Sequence, residues 1–238
     1  MLKKHPLIGF TFFGIILFLL SNRVDELRVF QGATVAIYVI AIASIILLTG
    51  YSGQVSLGHG ALLAIGGYAA ALSRNHWGAP IWLTFCIAVL AAALGGYLLG
   101  LAAARLSGPY LAGTTLALAI GLPSIANQFP IFGGEQGLLY DIGAPPASLG
   151  ADFTQYKWYF WIASLAALIS IYWLRNVMNS RYGRNWKAVR GNDVAAELAG
   201  INVGRNKVLA FTVSAGLAGL AGALLAMTIS TVSPGAFP

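Results

Sequence analysis

Few residues of this chain could take part directly in chemistry. Its three histidines are His5, His59 and His76, and its one cysteine, Cys86, lies inside an apolar run. The sequence contains no HExxH, GxSxG or P-loop pattern and no paired carboxylates, so its motifs indicate neither a hydrolase nor a nucleotide-binding protein. The spacing of cysteine and histidine matches no metal site. We therefore predict that the chain has no catalytic residue and binds no metal or cofactor.

The polar side chains that could contact a solute gather in one glycine-rich segment, GYSGQVSLGHG at Gly50–Gly60, which apolar sequence flanks on both sides. Two interpretations are open. The segment is a plain cytoplasmic turn between the second and third spans, with His59 as a hydrogen-bonded structural residue, or it is a helix break at membrane depth. A break is tolerated only where the backbone is buried in protein or lines a cavity, and it would offer backbone amides to a polar solute. Gln54, Ser56, Gly58 and His59 are then candidate pathway residues.

The composition is that of an integral membrane protein. Of the 238 residues, 58% are hydrophobic and 9% are charged, whereas soluble domains have about 25% charged residues. The net charge of +7 does not indicate a nucleic-acid partner here, because basic residues in cytoplasmic loops orient membrane proteins. The sequence predicts an all-α integral membrane protein, a polytopic helix bundle in membrane lipid that forms one transmembrane domain over residues 1–238.

The apolar stretches predict about seven membrane elements, of which the first is short or tilted and the third resumes after the glycine-rich break. A helical span requires about 20 apolar residues. The elements are Pro6–Leu20, Val29–Leu48, Ala61–Leu72, Ile81–Ala104, Tyr110–Phe129, Tyr156–Leu174 and Val208–Thr231. No acidic residue falls inside them, which counts against a proton- or sodium-coupled carrier. Glycines flanked by alanines, such as Gly66, Gly96, Gly219 and Gly222, predict close helix packing.

The longest polar stretch, Arg175–Lys207, holds seven of the fourteen lysines and arginines. If this stretch and the N-terminus are both cytoplasmic and the spans alternate, ten basic residues lie on the cytoplasmic side and four outside. An excess of lysine and arginine marks cytoplasmic loops. We therefore predict a cytoplasmic N-terminus and a cytoplasmic coupling loop at residues 175–207.

A short helix is predicted within this loop. Asn192 and Asp193 are good N-caps, VAAELA favours a helix, and Gly200 stands where a C-terminal glycine would end it. A helix of about two turns is marginal in isolation, so it needs a surface to dock against. The alternative, from these residues alone, is an ordinary solvated basic loop.

Four separated motifs and a final SP resemble, in this order, the LivM-type permease of branched-chain amino acid ABC transporters. The motifs are GYSGQVSLGHGALLAIGGYAAA, ARLSGPYLAGTTLALA, FGGEQGL and RYGRNWKAVRGNDVAAELAGINVGRNKVLAFTVSAGLAGLAGAL. The similarity runs from about Gly50 to the last residue. VAAELAG also resembles the EAA-x-x-x-G signature of importer permeases, with Val194 in the glutamate position, Ala195 and Ala196 matching, and Gly200 at the glycine.

The resemblance implies a permease subunit of an ABC importer for branched-chain or other neutral amino acids, in the bacterial plasma (inner) membrane. Its implied partners are a second related permease, two cytoplasmic ATP-binding subunits that carry the ATP, and an extracytoplasmic solute-binding protein. The implied ATPase-coupling residues are Arg184, Lys187, Arg190, Asp193, Ala195, Ala196, Glu197 and Gly200. Apolar contacts with the ATPase are expected from Trp186, Val189, Leu198 and Ile201.

Two further expectations concern the chain as a whole. Members of this family continue beyond the SP motif with more membrane helices, so we expect this chain to be incomplete at its C-terminus. The alternative to an ATPase-driven importer is a passive channel or secondary carrier for a small polar solute such as urea or an amide.

Overall fold

The computed structural model describes residues 6–106, 108–146, 149 and 153–236. Its helices are α1 Pro6–Ser21, α2 Glu26–Ile45, α3 His59–Trp77, α4 Ile81–Ala103, α5 Pro109–Gln128, α6 Gln155–Asn179, α7 Arg181–Gly191, α8 Asp193–Leu198 and α9 Val203–Ile229. A π-helical turn, Ile46–Tyr51, extends α2. The short strands β1 Leu138–Leu139 and β2 Thr231–Val232 complete the regular structure. The predicted all-α class is confirmed.

Among the residues that the structure describes, five helices are long and apolar enough to cross a membrane: α2 with its π-helical turn, α4, α5, α6 and α9. The apolar part of α1, Gly9–Leu19, is shorter than the about 20 residues that a straight span requires. Helix α3 has 19 residues, but its last turn carries Arg74 and His76. The polytopic membrane fold is thus confirmed, and the total of about seven elements stays a prediction.

Helix α9 is the centre of the bundle, because it packs against α2, α3 and α4 and most of its length is buried. Small residues let these backbones approach each other closely. Gly66 of α3 faces the backbone of Gly219, and Gly222 faces the backbone of Leu63 in α3. Gly96 of α4 lies equally close to α9. The close packing predicted from these glycines is confirmed.

The loop after α5 closes one end of the bundle. Strands β1 and β2 pair antiparallel, with Leu138 opposite Val232, and this pairing ties the loop to the end of α9. The Tyr140 hydroxyl lies 2.6 Å from Oγ1 of Thr84 in α4. Strands of two residues carry no detectable pattern in a sequence, and none was predicted here.

Arg74 and the basic helix α7 lie at opposite ends of the bundle, as the predicted alternation of the spans requires. At the closed end, Nε of Arg74 donates to the carbonyl of Asp141 in the loop after α5, at 3.1 Å. At the opposite end, Gly53 of the glycine-rich segment contacts Arg190 of α7. Charge placement predicted Arg74 and the basic loop on opposite sides of the membrane, and the structure has Arg74 and Arg190 of α7 at opposite ends of the bundle. Which end faces the cytoplasm stays a prediction.

We predict that Gly222→Ala destabilises the bundle by about 1–3 kcal/mol, because the added methyl group would overlap the backbone of Leu63 in a packed core. Gly121→Ala is the matched control, since Gly121 lies inside α5 with no atom within 4 Å of the added methyl group. Alanine favours a helix over glycine by about 1 kcal/mol, so the control should keep or raise the apparent melting temperature in detergent. Equal melting temperatures for the two variants would contradict the packing described here.

Candidate functional site

The glycine-rich segment is a break between two helices. After the π-helical turn, Ser52–Gly58 runs without helical structure, and α3 begins at His59. Gly53 has a φ of 73°, a left-handed conformation that glycine adopts most easily, and it redirects the chain. Beyond it, Gln54 and Gly58 are buried while Val55 and Leu57 are exposed. The π-helical turn fits this position, because such turns are rare and occur frequently at functional sites.

The end of the break, where α3 begins at His59, lies beside the middle of the bundle and not at its surface. Nε2 of His59 lies 2.7 Å from Oγ of Ser44, and Ser44 precedes the end of the π-helical turn by seven residues, about 10 Å of α-helix. Oγ of Ser214 donates to the Ser44 carbonyl at 2.7 Å, about 16 Å along α9 from its first residue. A turn at the ends of two helices would not reach this depth. The geometry therefore favours the interpretation of Gly50–Gly60 as a helix break inside the bundle.

Helix α5 packs directly against the break. The Leu57 amide donates to Oγ1 of Thr115 at 3.0 Å, and a methyl group on Gly58 would overlap the Thr115 carbonyl. Gly58 is therefore required for the close approach of two backbones, which is a reason for glycine here that the sequence alone did not reveal.

His59 presents an open hydrogen-bond acceptor. Oγ of Ser44 donates to the Ala41 carbonyl at 2.6 Å and lies 2.7 Å from Nε2 of His59. This pair of contacts fits the neutral tautomer of His59 in which Nε2–H donates to a lone pair of Oγ. In this neutral tautomer Nδ1 of His59 is a hydrogen-bond acceptor, and it has no partner within the described residues. His59 is thus a hydrogen-bonded residue, as one interpretation held, and also keeps a free acceptor.

Two more buried polar atoms without a partner in the described chain lie in the same break: the Oγ atoms of Ser52 and Ser56. The Gln54 side chain makes one long hydrogen bond, from Nε2 to the Ser52 carbonyl at 3.4 Å. Buried polar groups are normally hydrogen-bonded, so their concentration within eight residues indicates a place where water or a polar solute can bind. Ser52 was not among the predicted residues.

The predicted short helix is present as α8, with both ends capped. Oδ1 of Asn192 accepts from the Ala195 amide at 3.0 Å. Gly200 has a φ of 82°, and the amide of Ile201 donates to the Ala196 carbonyl at 3.0 Å, the hydrogen-bond pattern that ends many helices with glycine. The predicted N-cap Asn192 and the terminating Gly200 are confirmed, whereas Asp193, the other predicted N-cap, does not cap the helix. Asp193 is the first helical residue, and its Oδ2 lies 2.6 Å from Nζ of Lys207 in α9.

The prediction that Trp186 and Val189 make apolar contacts with the ATPase is wrong. Trp186 is 1% exposed and Val189 is 3% exposed, because α7 turns this face towards its own bundle, where Nε1 of Trp186 donates to the Asn206 carbonyl at 3.0 Å. Ala196 of α8 is likewise buried, so its side chain faces the permanent neighbours of the helix and not a partner. Residue type alone does not tell which side of an amphipathic helix meets its own chain.

The outward face of α8 carries Val194, 67% exposed, and Leu198, 85% exposed. Residues four apart lie on one face of a helix, so the two form a continuous apolar surface. Ala195, Glu197 and Gly200 are also exposed.

The basic residues of α7 divide into two groups. Nη1 of Arg184 donates to the Asn179 carbonyl at 3.3 Å on the exposed surface. In contrast, Nζ of Lys187 lies 5.1 Å from the ring centre of Tyr51, and Nη1 of Arg190 donates to the Gly50 carbonyl. Lys187 and Arg190 were predicted to face an ATPase, and the structure joins them to the break as well.

A cavity of about 300 Å³ lies between the break and the α7–α8 corner. Its lining combines Ser52–Val55 of the break with Asn192, Asp193 and Lys207. Among the described residues, no three His, Cys, Asp or Glu side chains are grouped so that they could hold a metal ion.

Over residues 29–238 the sequence matches the family described as the permease component of branched-chain amino acid transport systems. The chain belongs to this family. The break, the α7–α8 corner and the cavity between them are therefore parts of a transport permease, and the resemblance drawn from the separated motifs is confirmed.

The curated proteins that this permease resembles are also described as transport or import permeases. It is 31% identical, over 225 residues, to the high-affinity branched-chain amino acid transport system permease protein LivM of Escherichia coli K12, and the alignment covers 84% of this chain and 52% of the relative. It is 28% identical, over 230 residues, to the ribose import permease protein RbsC of Haemophilus influenzae, covering 91% of this chain and 64% of that protein. The chain thus spans about half the length of LivM. No solved structure matches it.

We predict that Ser44→Ala destabilises the permease by about 1–3 kcal/mol, because it leaves the buried Nε2–H of His59 without an acceptor. Ser73→Ala is the matched control: Ser73 is also buried in a helix, and its Oγ donates only to the Ala70 carbonyl one turn earlier, at 2.8 Å. A lower apparent melting temperature for Ser44→Ala than for Ser73→Ala is expected in detergent. A difference in the opposite direction, or none, would exclude the assigned hydrogen bond.

Proposed function

We propose that this permease is the membrane subunit of an ABC importer for branched-chain or other neutral amino acids, in which ATP is hydrolysed on two separate cytoplasmic subunits. The observation that carries the proposal is α8, a helix of six residues with both ends capped and with Val194 and Leu198 facing away from the chain. Membership of the permease family supports a transport role, and the names of the LivM relatives support this solute class.

The geometry of α8 suits the task of receiving force from another protein. A helix this short does not hold its shape alone, and here the caps and the Asp193–Lys207 ion pair fix it at the start of α9. A contiguous apolar surface that remains exposed on a fixed element is typical of a protein–protein interaction site. The basic residues beside it, such as Arg184, would steer an acidic partner surface towards it.

The break supplies the second half of the mechanism. In alternating access, ATP binding and hydrolysis displace the docking helix, and the bundle rearranges around a solute delivered by an extracytoplasmic binding protein. We infer that Gln54, Ser56, Gly58 and His59 line or support the solute pathway, shared with a second related permease. The open Nδ1 acceptor of His59 would accept a hydrogen bond from an N–H group, which the ammonium group of an amino acid provides. We also propose that the protein lies in the bacterial inner membrane with its N-terminus in the cytoplasm.

We predict that Leu198→Asp lowers ATP-driven uptake about tenfold or more without lowering the apparent melting temperature. Fully burying a leucine side chain is worth about 1.5–3 kcal/mol, and replacing Leu198, which is 85% exposed in the chain itself, touches no core contact. Uptake and ATPase activity are measured in proteoliposomes that contain the full-length permease with its partners.

Leu198→Met is the control, because it keeps an apolar side chain of similar size at the same position and should keep most of the uptake. Wild-type uptake by the Leu198→Asp variant, or equal uptake by wild-type vesicles that lack the ATPase subunits, would refute the proposed function.

We predict that Gln54→Ala combined with His59→Ala lowers uptake or changes the order of preferred amino acids, because both changes remove polar groups from the break. Competition between labelled leucine and unlabelled amino acids measures the preference. Ser73→Ala again serves as the control for a buried polar residue outside the break. If the double variant takes up the same solutes at the same rate as the wild type, the pathway assignment is wrong.

A further inference from the structure

Helix α7 contacts the end of the π-helical turn, where the glycine-rich break begins. The carbonyl groups at the end of a helix lack partners within that helix and carry partial negative charge, so cations are favourable beside them. Arg190 donates from Nη1 to the Gly50 carbonyl in the π-helical turn. Lys187, one turn earlier in α7, places Nζ 5.1 Å from the ring centre of Tyr51, within the range of a cation–π interaction.

The contact between α7 and the break also includes van der Waals packing. Gly53, with its φ of 73°, lies directly against the aliphatic part of the Arg190 side chain. A methyl group added to Gly53 would lie 3.0 Å from Cγ of Arg190. The aliphatic part of Arg190 therefore fits against the bend itself. A displacement of α7 cannot leave Gly50–Gly53 in place without breaking the hydrogen bond, the ring contact or this packing.

The other end of α7 leads directly to the docking helix. Asn192 alone separates α7 from α8, and this residue both ends α7, through its amide and the Ala188 carbonyl at 3.1 Å, and caps α8 through its side chain. The break, α7 and α8 thus form one continuous series of contacts, and the side chains of Ser52 and Gln54 lie immediately after the point that α7 holds.

We propose that Arg190 and Lys187 are positioning residues that transmit the displacement of α8 to the pathway residues of the break. The inference rests on the proposed function, because it takes α8 as the point where force enters. It assigns to these two cations an intrachain role: they connect α7 to the Gly50–Gly53 bend, and the exposed apolar face of α8 makes the contact with the ATPase.

The test measures coupling, the amount of solute transported per ATP hydrolysed, in the full-length permease assembled with its partners. Arg190→Ala should lower this ratio about fivefold or more, because it removes the charged hydrogen bond that connects α7 to the bend, while the ATPase subunits still bind. Arg190→Lys, which keeps a cation near the Gly50 carbonyl, should restore part of the ratio. Arg181→Ala is the matched control on the same helix, since the Arg181 guanidinium contacts Tyr182 on the exposed surface, and it should leave the ratio unchanged.

If the Arg190→Ala permease does not assemble with the ATPase subunits, a second pair of variants tests the same positioning role. Tyr51→Leu removes the ring that Lys187 faces and should lower the coupling ratio, whereas Tyr51→Phe keeps the ring and should not. Hydrogen exchange gives an independent reading: nucleotide binding by the ATPase should change amide exchange at residues 52–58 in the wild type and not in Tyr51→Leu.

The outcomes separate the two proposals. If Arg190→Ala and Tyr51→Leu keep the wild-type coupling ratio while Leu198→Asp abolishes uptake, the positioning role is refuted and the proposed function stands. If Leu198→Asp is also without effect, the proposed function itself fails.

Discussion

A helix that stops inside an apolar bundle leaves backbone amides and carbonyls that lipid cannot bind, and the protein must supply their partners. In this permease the Gln54 amide donates back to the Leu48 carbonyl at 3.1 Å. The Leu57 amide donates across to Thr115 in α5, and Arg190 reaches the Gly50 carbonyl from α7. The break therefore depends on two neighbouring helices that are distant from it in sequence.

This requirement separates the backbone of the break from its side chains. The backbone contacts hold the shape of the segment, and Gly58 allows α5 to come close enough to make one of them. Oγ of Ser52, Oγ of Ser56 and Nδ1 of His59 stay without partners in the described chain. A segment whose shape is held by its backbone keeps its polar side chains available, which is the division of roles that a solute pathway needs.

Local chemistry explains which features the sequence could predict. Spans such as α4 and α9 follow from apolar length, and α8 follows from Asn192 and Gly200, because caps act on their own helix. Features that depend on tertiary contacts were missed: the burial of Trp186 and Val189, the strand pair, and the contact of α7 with the break. Arg190 and Gly50 are 140 residues apart, and no pattern within either segment reveals that they meet.

Helix α5 is attached to the rest of the bundle partly through the strand pair that follows it. Helix α5 is the least buried of the apolar helices described as long enough to span a membrane, yet the loop that follows it is bonded through β1 and β2 to the end of α9. The loop beyond its far end is thus tied to the most buried of these helices, while Thr115, in its second turn, contacts the break. Because Oγ1 of Thr115 accepts from the Leu57 amide, a rotation of α5 about its tied end must either carry the break with it or break this hydrogen bond.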